Sequence, residues 1–162
     1  MKQLTDAIIE NALNDSDIVT KNPLIDIFIY GLLVLALSYL CYCHKDIIKK
    51  VTCGLLAFVI FSVGLSGTIK DYSKKNSISN DEWIVVTDRV ERVMYRTNSL
   101  NPYYLDLKEY GRVTLDGHSE AMEHYSGEKV YVIVVPYGEK YESTGVVFSK
   151  DTYTYTGNHL LE

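Results

Sequence analysis

The 162-residue sequence has only three cysteines, and none of them lies in its second half. Cys41, Cys43 and Cys53 all stand in apolar surroundings, so a disulfide framework is excluded for the rest of the chain. The Cys41-x-Cys43 spacing matches neither a redox pair nor a zinc knuckle. We therefore interpret the three thiols as small apolar side chains.

The sequence also lacks the basic excess that binding to nucleic acid requires. Residues 80–162 carry fourteen acidic against eight basic side chains, and the whole chain has a net charge of −5. Affinity for phosphate backbones comes largely from cations that displace condensed counterions. We expect no nucleic-acid partner.

Catalytic signatures are missing as well. The sequence contains no GxSxG elbow, no P-loop and no HExxH motif. Ser119 follows His118 directly, but side chains of adjacent residues usually point in different directions, and no third group orients this pair. We expect no enzymatic activity and no cofactor.

One cluster of residues has the chemistry of a metal site. His118 and His124 lie close in sequence to Asp116, Glu120 and Glu123, and imidazole with carboxylate suits zinc or a similar ion. The spacing matches no established ligand pattern, so we predict a polar loop and leave the metal as the alternative.

Two long apolar runs dominate the first half. LIDIFIYGLLVLALSYLCYC covers residues 24–43 with a single charge at Asp26, and VTCGLLAFVIFSVGLSGTI covers 51–69 with none. At about 1.5 Å per residue, each run reaches the roughly 30 Å of a hydrocarbon core. Both are apolar on every face, and so small a chain could not bury two such helices. The runs predict transmembrane helices in a lipid bilayer.

The charged stretch HKDIIKK, residues 44–50, separates the runs and predicts the turn of a hairpin over 23–70. Both termini then lie on one side of the membrane. The loop has three lysines, whereas the opposite flanks have four, at positions 21, 70, 74 and 75. The positive-inside rule therefore favours cytoplasmic termini.

Residues 1–22 predict a short amphipathic helix. Leu4, Ile8 and Ala12 share one helical face, with Ile9 and Leu13 beside it. Its charges are mostly acidic, whereas lipid-binding helices present Lys and Arg. We expect this helix to pack against the hairpin or against the domain that follows.

The second run has a face of small residues. Ser62, Gly64, Ser66 and Gly67 would let another helix approach closely, either within the hairpin or in a second chain. Because a small domain gains stability by docking, we also expect a homo-oligomer.

Residues 71–81 are polar and predict a linker, and residues 82–162 predict a small all-β domain. Seven short runs have strand character: 83–87, 90–95, 103–107, 112–116, 129–135, 144–148 and 152–156. The run 129–135 is apolar on both faces and should be the central, most buried strand. The predicted class is an α+β membrane protein, with a two-helix transmembrane hairpin followed by a small antiparallel β-barrel or β-sandwich.

Ten of the fourteen tyrosines lie in residues 80–162. Tyr is enriched at binding surfaces, but it also packs well in strands, and both interpretations stay open. The candidates for a binding surface are Tyr103, Tyr104, Tyr153 and Tyr155, with Tyr137 and Tyr141 as a second choice.

Together these features favour a non-enzymatic membrane protein whose tethered β-domain binds a protein or small ligand, as a regulatory or inhibitory factor would. The alternative is a small oligomeric pore former gated by the β-domain, although neither run has a charge in its middle to support water. The compact plan and the Lys-rich loop also suggest a bacterial or phage origin.

Overall fold

The computed structural model of this chain describes residues 1–43, 46–95, 103–115 and 124–161. These residues form two compact units, one of residues 21–73 and one that combines residues 1–20 with 74–162. The helices are α1 (Asp6–Asn14), α2 (Asp17–Thr20), α3 (Pro23–Cys43) and α4 (Ile47–Ser79). The strands are β1 (Lys2–Leu4), β2 (Ile84–Tyr95), β3 (Tyr103–Leu107), β4 (Gly111–Thr114), β5 (Lys129–Tyr137), β6 (Lys140–Ser149) and β7 (Tyr153–Tyr155).

Both predicted spans are helical, and α3 and α4 are long and apolar enough to cross a membrane. Pro23 is the first residue of α3, where its missing N–H costs nothing, and the Asn22 side chain accepts a hydrogen bond from the backbone N–H of Leu24 at 3.1 Å. The Asp46 carboxylate accepts one from the N–H of Ile48 at 3.0 Å and so caps the start of α4.

Helix α4 continues beyond the apolar run, so the predicted linker at 71–81 is wrong for residues 71–79. Polar contacts hold this part of the helix in place. The Lys74 ammonium donates to the carbonyl of Ser143 at 2.9 Å, and the Lys75 ammonium donates to the carbonyl of Val19 at 2.6 Å. A stretch anchored by lysines carries no apolar periodicity, which is why its sequence resembles a linker.

Strand β2 is a single long strand in place of the two predicted at 83–87 and 90–95. Its first half, residues 84–89, pairs antiparallel with β5, and its second half pairs antiparallel with β3. The register shifts between Val90 and Arg92, as expected for a bulge, and bulges bend a strand. One bent strand therefore joins the two parts of the sheet.

The sheet has five antiparallel strands in the order β4-β3-β2-β5-β6, curled into a half-barrel. Its edge strands β4 and β6 approach each other, but in the described part of the chain no ladder joins them. The prediction of a small antiparallel β-domain is confirmed in this coarser form. Strand β5 is buried on both faces as predicted, whereas β2 occupies the middle of the sheet.

The two ends of the chain form a second, two-stranded sheet. β1 pairs parallel with β7, and residues 159–161 run beside β2, where the N–H of Val85 donates to the carbonyl of His159 at 2.8 Å. The prediction of one helix over 1–22 thus missed strand β1, because three residues give no periodic signal.

Helix α1 packs against the β-domain, one of the two predicted partners. The predicted apolar face is shifted, because Ile9 and Leu13 are fully buried while Ile8 is 41% exposed. With Leu4 they join a core cluster that also contains Trp83 and residues of β5 and β6. Residues 1–20 and 74–81 therefore belong to the same unit as residues 82–162, and the helix hairpin is an insertion within it.

Candidate functional site

Helices α3 and α4 contact each other along one narrow seam. Within residues 24–69, and apart from Gly31, the buried and half-buried positions of the two helices are equally distant in sequence from residue 47, as expected for antiparallel helices in register. These mirrored pairs are Asp26 with Thr68, Tyr30 with Gly64, Val34 with Ile60, Leu37 with Ala57, and Cys41 with Cys53. Successive seam positions are three or four residues apart, so they lie on one face of each helix.

Gly64 gives the seam its tightest contact. A Cβ atom at this position would lie 2.7 Å from the ring of Tyr30, so any larger residue would collide with the aromatic side chain. Of the predicted small-residue face, Gly64 alone meets α3. Ser62 and Ser66 are exposed, and a Cβ atom on Gly67 would meet nothing within 4 Å.

The rest of the hairpin surface is apolar and exposed. No residue of α3 is buried, and large side chains such as Leu35, Phe58 and Val63 are 68%, 69% and 68% exposed. Exposed apolar surface of this extent is unfavourable in water, whereas lipid chains would cover it at no cost.

Four of the predicted binding tyrosines have packing roles in the β-domain. Tyr104 is buried, and the Arg112 guanidinium lies 4.7 Å from the centre of its ring. Tyr153 and Tyr155 are half-buried and pack against the core cluster that contains Trp83. Tyr103 is half-buried and packs against the second core cluster, on the opposite face of the sheet.

Tyr137 and Tyr141 flank the turn between β5 and β6. Gly138 begins this two-residue turn with a φ of 63°, a left-handed conformation that favours glycine. Tyr137 is half-buried and Tyr141 is 45% exposed. Burial raises the pKa of Tyr110, and the nearby groups of Glu109, Asp88 and Tyr141 raise this pKa further. The turn between β5 and β6 is thus the most accessible of the predicted tyrosine sites.

A polar cluster ties together the two ends of the chain. The Tyr155 hydroxyl donates to the Asp6 carboxylate at 2.5 Å and accepts from the backbone N–H of His159 at 2.8 Å. The His159 ring stacks on Trp83 with ring centres 4.0 Å apart. Its two nitrogens lie 3.5 Å from Asp6 and 3.6 Å from Asp81, on opposite sides of the ring.

This cluster shifts two pKa values in opposite directions. Burial would raise the pKa of Asp6, but hydrogen bonds from Tyr155 and Asn158, together with the nearby His159, outweigh burial and lower it. Burial and the hydrogen bond to Asp6 raise the pKa of Tyr155, so its phenol stays protonated and donates. The hydrogen bonds of this cluster join helix α1 to β7 and to the residues that follow β7, and we call the cluster the clasp.

Sequence reasoning could not find this clasp, because Asp6 and Tyr155 are 149 residues apart. No local pattern marks Asp6, and the alternation of Tyr155 with threonines does not reveal its partner in α1. A strand prediction near residue 1 could have suggested that the two ends of the chain pair, but β1 has only three residues and gives no recognisable strand pattern.

The predicted histidine cluster is only partly described. His118, Asp116, Glu120 and Glu123 lie outside the described residues. His124 is buried and its Nδ1 lies 2.8 Å from the buried Glu128 carboxylate, which also accepts from the N–H of Tyr125 at 3.2 Å. In the described ranges, no three His, Cys, Asp or Glu side chains come together as metal ligands would.

Comparison with known proteins gives no relative for this chain. No protein-family model, no curated protein and no solved structure matches it.

Proposed function

We propose that this chain is a non-enzymatic integral membrane protein that spans the bilayer twice and tethers a β-domain, which binds a protein or small ligand as a regulatory or inhibitory factor. The supporting observation is the split domain. Residues 1–20 and 74–162 form one compact unit, and an apolar hairpin is inserted between them. A folded unit lies in one compartment, so a chain that leaves it and returns crosses the membrane an even number of times.

The lysine distribution supports cytoplasmic termini. Single cysteines introduced by Asp46→Cys and Glu139→Cys, in a chain whose native cysteines are replaced by serine, test this arrangement. Both positions are exposed. We expect a membrane-impermeant maleimide to label Asp46→Cys in intact cells and to label Glu139→Cys only after the membrane is permeabilised.

The labelling pattern separates crossing from orientation. Equal labelling of both cysteines in intact cells would contradict two spans. The reversed pattern would contradict cytoplasmic termini while leaving two spans in place. Extraction of the wild-type chain from membranes by alkaline carbonate would contradict membrane integration altogether.

The binding surface is proposed at the turn between β5 and β6. Tyr137 and Tyr141 lie on either side of this turn, and an aromatic ring offers a large, rigid contact surface. Tyr103, Tyr104, Tyr153 and Tyr155 are buried or pack against a core cluster, whereas Tyr141 is 45% exposed and is the most accessible of the predicted tyrosines.

The double substitution Tyr137→Ala with Tyr141→Ala should weaken recovery of the bound partner at least about tenfold, because exposed aromatic anchors dominate binding energies. The full chain is purified in mild detergent from its native membrane, and copurifying proteins and small molecules are quantified by mass spectrometry. Tyr125→Ala is the matched control, since Tyr125 is 53% exposed elsewhere on the domain. Equal recovery with all three chains would contradict this surface.

A further inference from the structure

The cysteines of α3 and α4 meet across the hairpin. Cys41 and Cys53 are both half-buried and occupy mirrored positions of the seam. The Cys41 thiol lies 3.6 Å from the carbonyl oxygen of Lys50. Lys50 is three residues before Cys53, and residues three apart lie on the same face of a helix. The Cys41 thiol therefore reaches the face of α4 that carries Cys53.

The neighbouring position of the seam on α4 is small and leaves room for this approach. Ala57, one helical turn after Cys53, is 7% exposed and mirrors the half-buried Leu37. A small residue at a helix interface lets the facing helix come near, which a disulfide between helices requires because its Cα atoms lie roughly 4.4–6.8 Å apart. Cys43, in contrast, is exposed on α3 and lies outside the seam.

We propose that Cys41 and Cys53 are a reversible disulfide site that joins α3 to α4 at the loop end of the hairpin. Two S–H bonds break and one S–S bond forms. The two electrons reduce an acceptor disulfide of a protein or small molecule, and the two protons pass to the thiols that this acceptor releases. The structure holds the reduced form, in which all three cysteines are free.

The pairing of Cys41 with Cys53 does not depend on which side of the membrane the loop faces, because both cysteines lie at the loop end of the hairpin in either orientation. A test of the disulfide is therefore independent of a test of the proposed function. The side that the loop faces determines which cellular acceptor oxidises the pair.

The test uses the full chain in isolated membranes, oxidised with diamide, whose N=N bond takes up the two electrons and two protons. The chain is then denatured, and its remaining thiols are coupled to a polyethylene-glycol maleimide that shifts gel mobility. We expect three labels on the reduced chain, one for each cysteine, and one label after oxidation. Dithiothreitol should restore all three.

Single substitutions identify the pair. Cys43→Ser should fall from two labels to none on oxidation, whereas Cys41→Ser and Cys53→Ser should each keep two. Three labels on the oxidised wild-type chain would overturn the proposal. So would loss of labels in Cys41→Ser, or a disulfide-linked dimer on a non-reducing gel.

Discussion

Replacing Leu13 by alanine should lower the free energy of unfolding of the β-domain by about 2–5 kcal/mol. Leu13 is fully buried in the core cluster that contains Trp83, although it lies before the helix hairpin in sequence. Truncation to alanine removes buried apolar contacts and leaves a cavity among residues that relax only in part. Small domains have roughly 5–15 kcal/mol of stability, so the loss is a large share of the total.

Ile8→Ala is the matched control for this prediction. Ile8 lies on the same helix and is 41% exposed, so its loss should change the stability by no more than about 0.5 kcal/mol. Trp83 is the only tryptophan and lies in the same core cluster, so its fluorescence reports unfolding by urea in detergent. Equal, small effects of both substitutions would show that α1 is not part of this core.

Asp6→Asn should destabilise the β-domain at pH 7 by about 1–3 kcal/mol, and the difference from the wild-type chain should vanish in acid. The Asp6 carboxylate accepts hydrogen bonds from Tyr155 and Asn158, and its pKa is lowered from the usual 3.8 in the folded chain. Because the pKa of Asp6 is lower in the folded chain than in the unfolded chain, the ionised carboxylate stabilises the fold at pH values above the unfolded pKa. This stabilisation is lost as the pH falls through the pKa that Asp6 has in the folded chain.

The measurement compares unfolding of the wild-type chain and Asp6→Asn by urea between pH 7 and pH 2.5, with Trp83 fluorescence as the signal. Glu10→Gln is the control, because Glu10 is an exposed carboxylate on the same helix. Tyr155→Phe should cost a similar amount at pH 7, since it removes the donor to Asp6. A destabilisation by Asp6→Asn that stays constant down to pH 2.5 would contradict the role of its carboxylate.

The helices and strands could largely be predicted from the sequence, because each signal is local. The two apolar runs are continuous over about twenty residues, and α3 and α4 contain them. The run YYLDL, residues 103–107, has the bounds of β3, and the apolar run 129–135 forms most of β5. In these segments the hydrophobic pattern and the backbone propensity agree.

The site residues were less predictable. Tyr153 and Tyr155 alternate with threonines in a pattern that suits a binding face equally well, and only their contacts with the core show that they pack inward. For Gly64 the sequence left two interpretations open, packing within the hairpin or between chains. The ring of Tyr30 places it within the hairpin.

The sequence by itself determined that two helices are long and apolar enough to span a membrane and that a strand-rich segment follows them, because length and periodicity are properties of contiguous residues. Only the tertiary structure decided that β2 bends between two partners, that residues 1–20 complete the β-domain, and that Asp6 meets Tyr155. These pairings join residues far apart in the chain, and their energy comes from burial and hydrogen bonds that exist only once the chain has folded.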